Sequence, residues 1–171
     1  MTVFMFDIDK VLTDGGVDSH NKLDKDQFQK AIEQVKFSLK GAELLKHVIA
    51  YDELVSVNSE QIPLDRIWFL TGRNIKDHYT CTIQLLEDII QSIGGDEHVM
   101  RRLCQQVYFN DDNYQSFNKA KYYEKKCLMI CEIMSKFPTA EAGIYFEDDP
   151  ELIEYLIPEV PQNVEVIHFL G

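Results

Sequence analysis

Residues 3–16 read VFMFDIDKVLTDGG, an apolar run closed by a cluster of carboxylates. Val3 to Phe6 has the β-branched and aromatic composition of a buried strand. Asp7 and Asp9 stand one residue apart directly behind it, and Asp14 follows within one turn's length. If the strand stayed extended, Asp7 and Asp9 would point the same way. Two carboxylates in one small space repel unless a cation lies between them or one of them takes a proton. Turn formation and helix capping are the bland uses of acids at a strand end. An Asp-x-Asp pattern alone does not rise above them.

The rest of the chain repeats the arrangement. Short apolar runs recur at 66–70 (RIWFL), 106–109 (QVYF), 143–146 (GIYF) and 164–169 (VEVIHF). Segments with helical spacing lie at about 24–50, 75–92, 117–136 and 150–156. Strands alternating with helices predict right-handed crossovers and an α/β, three-layer Rossmann-like fold. Its sheet should be mostly parallel and five-stranded, with helices on both faces. Ligands of such folds bind at the carboxyl ends of the strands. Behind the second run stand Thr71, Gly72 and Arg73; behind the third, Asn110, Asp111 and Asp112; behind the fourth, Glu147, Asp148 and Asp149. Four strand ends furnished with groups for a metal or a phosphate point to a site.

Composition bounds what that site can serve. The chain has 171 residues, 45% hydrophobic and 27% charged, and no repeat or linker composition, so residues 1–171 are expected to form one domain. No apolar run is long enough to span a bilayer and no signal peptide precedes the first strand, which makes a cytoplasmic protein with no membrane contact the expectation. A net charge of −12 disfavours non-specific binding to nucleic acid, although a local basic pocket remains open in the stretch containing Lys119, Lys121, Lys125 and Lys126. Cys81, Cys104, Cys127 and Cys131 lack disulfide-framework spacing and read as reduced core thiols. The five histidines show no ligand spacing and read as surface or packing residues.

Together these stretches resemble the haloacid dehalogenase superfamily of phosphohydrolases. The DxDx(T/V)(L/V) motif of that family is matched by Asp7-Ile8-Asp9-Lys10-Val11-Leu12, and the strand ending in Thr by Trp68-Phe69-Leu70-Thr71-Gly72-Arg73. A lysine near a helix start and the paired acids of Glu147-Asp148-Asp149 follow in the family's order, over nearly the whole chain. The resemblance implies Asp7 as nucleophile and Asp9 as general acid and base. It implies Mg²⁺ held by Asp7, Asp148 and the main-chain carbonyl of Asp9, with Asp149 and Glu147 as further candidates. It implies phosphate binding by Thr71 and the backbone at Gly72. The substrate would be a phosphorylated molecule. FDIDKVLTDGG is similar to capless sugar-acid phosphatases that work as oligomers, whereas the FLTGR strand is similar to capless phosphatase domains acting on nucleic-acid ends. The acidic charge weighs against the second.

The resemblance implies that the lysine's ammonium reaches both the phosphate and the nucleophile, as a further phosphate-binding group, and helical spacing chooses which lysine. Counting from Lys126, apolar residues fall at +3, +4, +7, +8 and +11 (Met129, Ile130, Ile133, Met134, Phe137), one clean buried face. Lys125 is the reserve, because the same count places Glu132 in its core. Lys10 departs from the family's usual glycine, and Glu147 from its small residue. Arg73 either grips substrate or caps the next helix. Only 64 positions separate Asp7 from Thr71, so the chain is expected to be capless or nearly so, with a flap within about 14–40. An open site can take phosphate on a large molecule or be closed by a second copy in a homo-oligomer. Phosphotransfer to an acceptor other than water, and a non-catalytic phosphate- or metal-binding module, stand as alternatives to hydrolysis.

Overall fold

The computed structural model describes residues 1–15, 24–59, 61–111 and 118–171. In chain order the elements are β1 (Thr2–Asp7), α1 (Lys25–Glu33), α2 (Leu39–Ser59), β2 (Ile67–Asn74), α3 (Ile75–Ser92), α4 (Glu97–Leu103), β3 (Val107–Asn110), α5 (Lys119–Ser135), β4 (Ala142–Glu147), α6 (Pro150–Glu159) and β5 (Val164–His168). The strands form one sheet in the order β3-β2-β1-β4-β5, and every pairing in it is parallel. This is the three-layer, Rossmann-like α/β architecture, with the sheet wholly rather than mostly parallel. The order reverses at β1, from which the chain builds first towards β3 and later towards β5. In doubly wound sheets the crevice at such a reversal is where ligands bind.

Strand parity decides which side chains meet. Phe4 and Phe6 of β1 join Ile67, Phe69 and Phe146 beneath α2, α3 and α4. Phe6 stacks on Phe69 and Phe146, with ring centroids 5.7 and 5.0 Å apart. Val3 and Met5 face the other way, into a second core with Leu70 and Tyr145 beneath α5 and α6. A side-chain period of two therefore aims Asp7 towards α5, on the face shared by Tyr145 and Glu147.

Several bounds differ from expectation for physical reasons. Of the two helices expected within about 24–50, at about 24–39 and 41–50, the first ends at Glu33 and the second runs on to Ser59. Asp52 holds that extension: its carboxylate accepts from Leu64 N at 2.7 Å and from Arg66 Nε at 3.0 Å and Nη2 at 2.7 Å, fully buried. Helix α4 has no counterpart in the expected elements. It has only seven residues, too few for periodicity to stand out, yet it is capped by Asp96 and anchored by Val99 and Leu103. The four cysteines are free thiols and each is half-buried, with Cys104 and Cys127 packed against the margins of the two cores.

The excursion after β1 is tied at its base. Thr13 bridges Phe37 in antiparallel fashion, Asp14 N donates to Lys36 O at 3.3 Å, and Ser38 N donates to Leu12 O at 3.0 Å. Within the expected flap, residues 16–23 lie outside the described part of the chain; α1 lies inside it and packs against α3 through buried Phe28 and Ile32. Gly41 lets the start of α2 press on the loop, since a Cβ there would lie 2.6 Å from Leu12 Cα. Lys10 takes a left-handed φ of 65°, a conformation that glycine adopts without cost and that an L-residue resists.

Candidate active site

The carboxyl ends of β1 and β4, adjacent at the reversal of strand order, carry Asp7, Glu147 and Asp148. One oxygen of each lies within 4.8 Å of the others. Asp7 and Glu147 are buried, and Asp148 is half-buried.

Lys126 enters this cluster from α5. Its spacing places it on the face of Met129, Ile130, Ile133 and Met134, all buried. Its ammonium donates to Asp7 Oδ1 at 2.7 Å, Leu70 O at 3.1 Å and Tyr145 OH at 3.1 Å, and lies 4.0 Å from Glu147 Oε2. All three protons are thereby used. The other lysines of the basic stretch are elsewhere: Lys125 reaches Asp111 at 2.5 Å, Lys119 reaches Glu151 at 2.5 Å, and Lys121 is exposed.

Tyr145 lies two residues before Glu147 on β4, so both project to the same face. Its hydroxyl accepts from Lys126 and donates to Glu147 Oε2. The second Glu147 oxygen accepts from Asp148 N at 3.1 Å and Asp149 N at 3.3 Å. Glu147 thus braces the turn carrying Asp148 while remaining in the acidic cluster. Asp149, a reserve ligand on sequence grounds, is the N-cap of α6: it accepts from Glu151 N at 3.0 Å and from Tyr123 OH at 3.3 Å. Its carboxylate is engaged outside the cluster.

Three carboxylates face one ammonium, and proton affinities follow that imbalance. Burial, then Glu147, push the Asp7 carboxyl up to about 7 against the pull of Lys126. Burial and Asp7 push Asp148 up to about 6. Burial also raises Glu147, opposed by Lys126. Burial alone would lower Lys126, but Asp7 and Glu147 outweigh it and hold its proton more tightly. Excess negative charge on hard oxygen donors at a strand-end crevice suits a divalent cation. Among the described residues, Asp7, Glu147 and Asp148 are the group whose oxygens could together hold such an ion.

Asp9 is held apart from this cluster. Arg73 clamps its carboxylate with two parallel bonds, Nε to Oδ2 at 2.9 Å and Nη2 to Oδ1 at 2.7 Å, while Nη1 donates to Thr82 Oγ1 at 3.1 Å. The guanidinium is buried and the Asp9 side chain is 27% exposed, so Asp9 lies at the mouth of the site. Arg73 thus binds Asp9 and, through Thr82, the body of α3, but it does not cap that helix, whose N-cap is Asn74.

Thr71, Gly72 and Arg73 fall inside β2, four residues further along than the expected strand. From Leu70 to Asn74 β2 advances four residues, while β3 advances only two, from Tyr108 to Asn110. The intervening segment therefore leaves the ladder, and its backbone is released at the site. Thr71 Oγ1 accepts from Arg73 N at 3.1 Å. Asp112, at the third strand end, lies outside the described residues; Asp111 pairs with Lys125.

Sequence reasoning missed three contributors and the pairing of a fourth. Tyr145 was signalled by its period-two relation to Glu147 but reads as core. Tyr122, one helical turn before Lys126, lies over Gly72. His168 donates from Nε2 to Asp148 O at 3.0 Å, joining β5 to the acidic turn. Arg73 finds Asp9 across 64 positions, a separation that no local pattern encodes. No family model, no curated protein and no solved structure matches the chain.

Proposed function

We propose that this chain is a Mg²⁺-dependent phosphomonoesterase that works through an aspartyl-phosphate on Asp7. The observation that carries the reading is the convergence, at the reversal of strand order, of a buried Asp7 bonded to Lys126 with Asp148 beside it. A bound Mg²⁺ would supply positive charge to the Asp7 and Asp148 oxygens and to the transferring phosphoryl group. An Asp7 oxygen attacks phosphorus as the bond to the leaving oxygen breaks, and Asp9 delivers the proton that this oxygen takes up. Water, deprotonated by Asp9, then cleaves the acyl phosphate and restores Asp7. Lys126 fixes the attacking carboxylate, and Thr71 with the released backbone of β2 receives the phosphoryl oxygens. The substrate is a small phosphorylated metabolite or an exposed phosphate on a larger molecule.

Phosphate release from an aryl phosphate, with Mg²⁺ and with EDTA, tests the reading. Turnover should require the metal and fall at least about a thousandfold in Asp7→Asn, with a smaller loss in Thr71→Ala. Full activity of a clean Asp7→Asn preparation would rule out the covalent route.

One observation favours a second reading. Asp9 is 27% exposed at the mouth of the site and so is open to an alcohol as well as to water, which allows transfer of the phosphoryl group to another acceptor. Added alcohols that capture phosphate in place of water would support that reading; free phosphate as the sole product would exclude it.

A further inference from the structure

Helix α5 presents a second group to the site besides Lys126. Tyr122 is four residues earlier and hence on the same face. Its ring lies against Gly72: a Cβ on that residue would meet Tyr122 Cε2 at 2.6 Å, the hydroxyl at 3.0 Å and Cζ at 3.1 Å. The phenol thus spans the segment that leaves the β2 ladder, with its hydroxyl end immediately beside the backbone after Thr71. The Lys126 ammonium lies 5.9 Å from the Tyr122 ring centroid and 5.7 Å from that of Tyr145, so it is boxed between two phenols. Packing alone explains the ring. It does not explain why a hydroxyl is carried into the field of Asp7, Glu147, Asp9 and Asp148.

We propose that the Tyr122 hydroxyl is a ligand of the substrate's phosphoryl oxygens, acting beside Thr71 and Gly72; this rests on the phosphohydrolase reading above. Burial and the four carboxylates hold its proton far beyond the usual phenol range, so the group stays neutral and is a donor at every working pH. A neutral donor next to an acidic, metal-binding cluster can bind a phosphoryl oxygen without competing for the cation. The requirement for glycine at 72 follows as well, since any side chain there would push the hydroxyl out of place.

Tyr122→Phe tests the role, because it keeps the ring over Gly72 and Lys126 and removes only the hydroxyl. Affinity for orthovanadate in the presence of Mg²⁺ should fall about tenfold, with a loss of similar size in kcat on an aryl phosphate and an unchanged Mg²⁺ affinity. Gly72→Ala, which displaces the ring, should weaken vanadate binding in the wild-type background and add little in the Tyr122→Phe background. Unchanged vanadate affinity and kcat in Tyr122→Phe, or full additivity of the two substitutions, would overturn the assignment while leaving the hydrolase reading intact. A wild-type protein that neither turns over aryl phosphate nor binds vanadate would overturn both.

Discussion

The proposed chemistry rests on Asp7, where several independent constraints meet at one side chain. Strand parity turns it towards α5, burial removes its water, and Lys126 supplies the cation bonded to it. In the metal-free protein that environment holds a proton that the unfolded chain would release. The folded value of about 7 lies above the ordinary 3.8, so folding binds protons between those limits and stability falls as pH rises through them. Asp148, raised to about 6, adds to the effect, whereas His78, lowered by burial, opposes it. The difference between two proteins isolates the Asp7 share. In EDTA, Asp7→Asn should melt higher than the wild type at pH 8, and the gap should narrow towards pH 5 and close only below about pH 4. A gap that widens towards pH 5 would contradict the assigned environment, which comprises Glu147, Asp148 and Asp9 against Lys126. Lys10 offers a simpler case. Its left-handed backbone costs an L-residue about 1 kcal/mol, so Lys10→Gly should raise stability by up to that amount in denaturant titrations.

At the scale of elements, the lesson concerns what a sequence can and cannot encode locally. Helix α5 declared its buried face through Met129, Ile130, Ile133 and Met134, and that periodicity alone singled out Lys126. The apolar runs likewise marked all five strands: the inner strands β1, β2 and β4 read as continuous hydrophobic stretches, whereas the edge strand β5 alternates, with Glu165 and His168 exposed. Three features stayed hidden. The β2 irregularity between Leu70 and Asn74 depends on pairing with β3, which is not adjacent in sequence. Helix α4 is too short to show a period. The Asp9–Arg73 clamp joins residues on two strand ends whose separation only the folded sheet closes. The same logic governs α2, whose last turns are held by the buried Asp52–Arg66 pair. Arg66→Ala leaves Asp52 buried without its cation and should cost about 3–5 kcal/mol of stability by chemical denaturation, more than exposed ion pairs such as Arg101–Glu97 contribute.

For the molecule as a whole, the strand order puts the reversal at the centre of the sheet, so one crevice collects groups from β1, β2, β4 and α5. Two cores lie one on each face of the sheet, and Lys126 links the α5 side to this edge through Asp7, Leu70 O and Tyr145. No helix among the described residues is long and apolar enough to cross a membrane. The acidic balance of −12 extends to the site itself, where three carboxylates outnumber one lysine. A divalent cation should therefore stabilise the fold as well as assist the reaction, and it should do so more at pH 8 than at pH 5, because protons compete for the same oxygens. Thermal melts with and without Mg²⁺ at the two pH values check this directly.

The measurement that tests the central claim most directly is the trapping of phosphate on Asp7. The protein is mixed with aryl phosphate and Mg²⁺, quenched in acid during turnover, digested, and the peptide containing residues 1–10 examined by mass spectrometry, with borohydride reduction to mark an acyl phosphate. The account predicts one phosphoryl group on Asp7, none in EDTA and none in Asp7→Asn. Turnover that proceeds with Asp7 never modified at any quench time, while Asp7→Asn remains active, would contradict it.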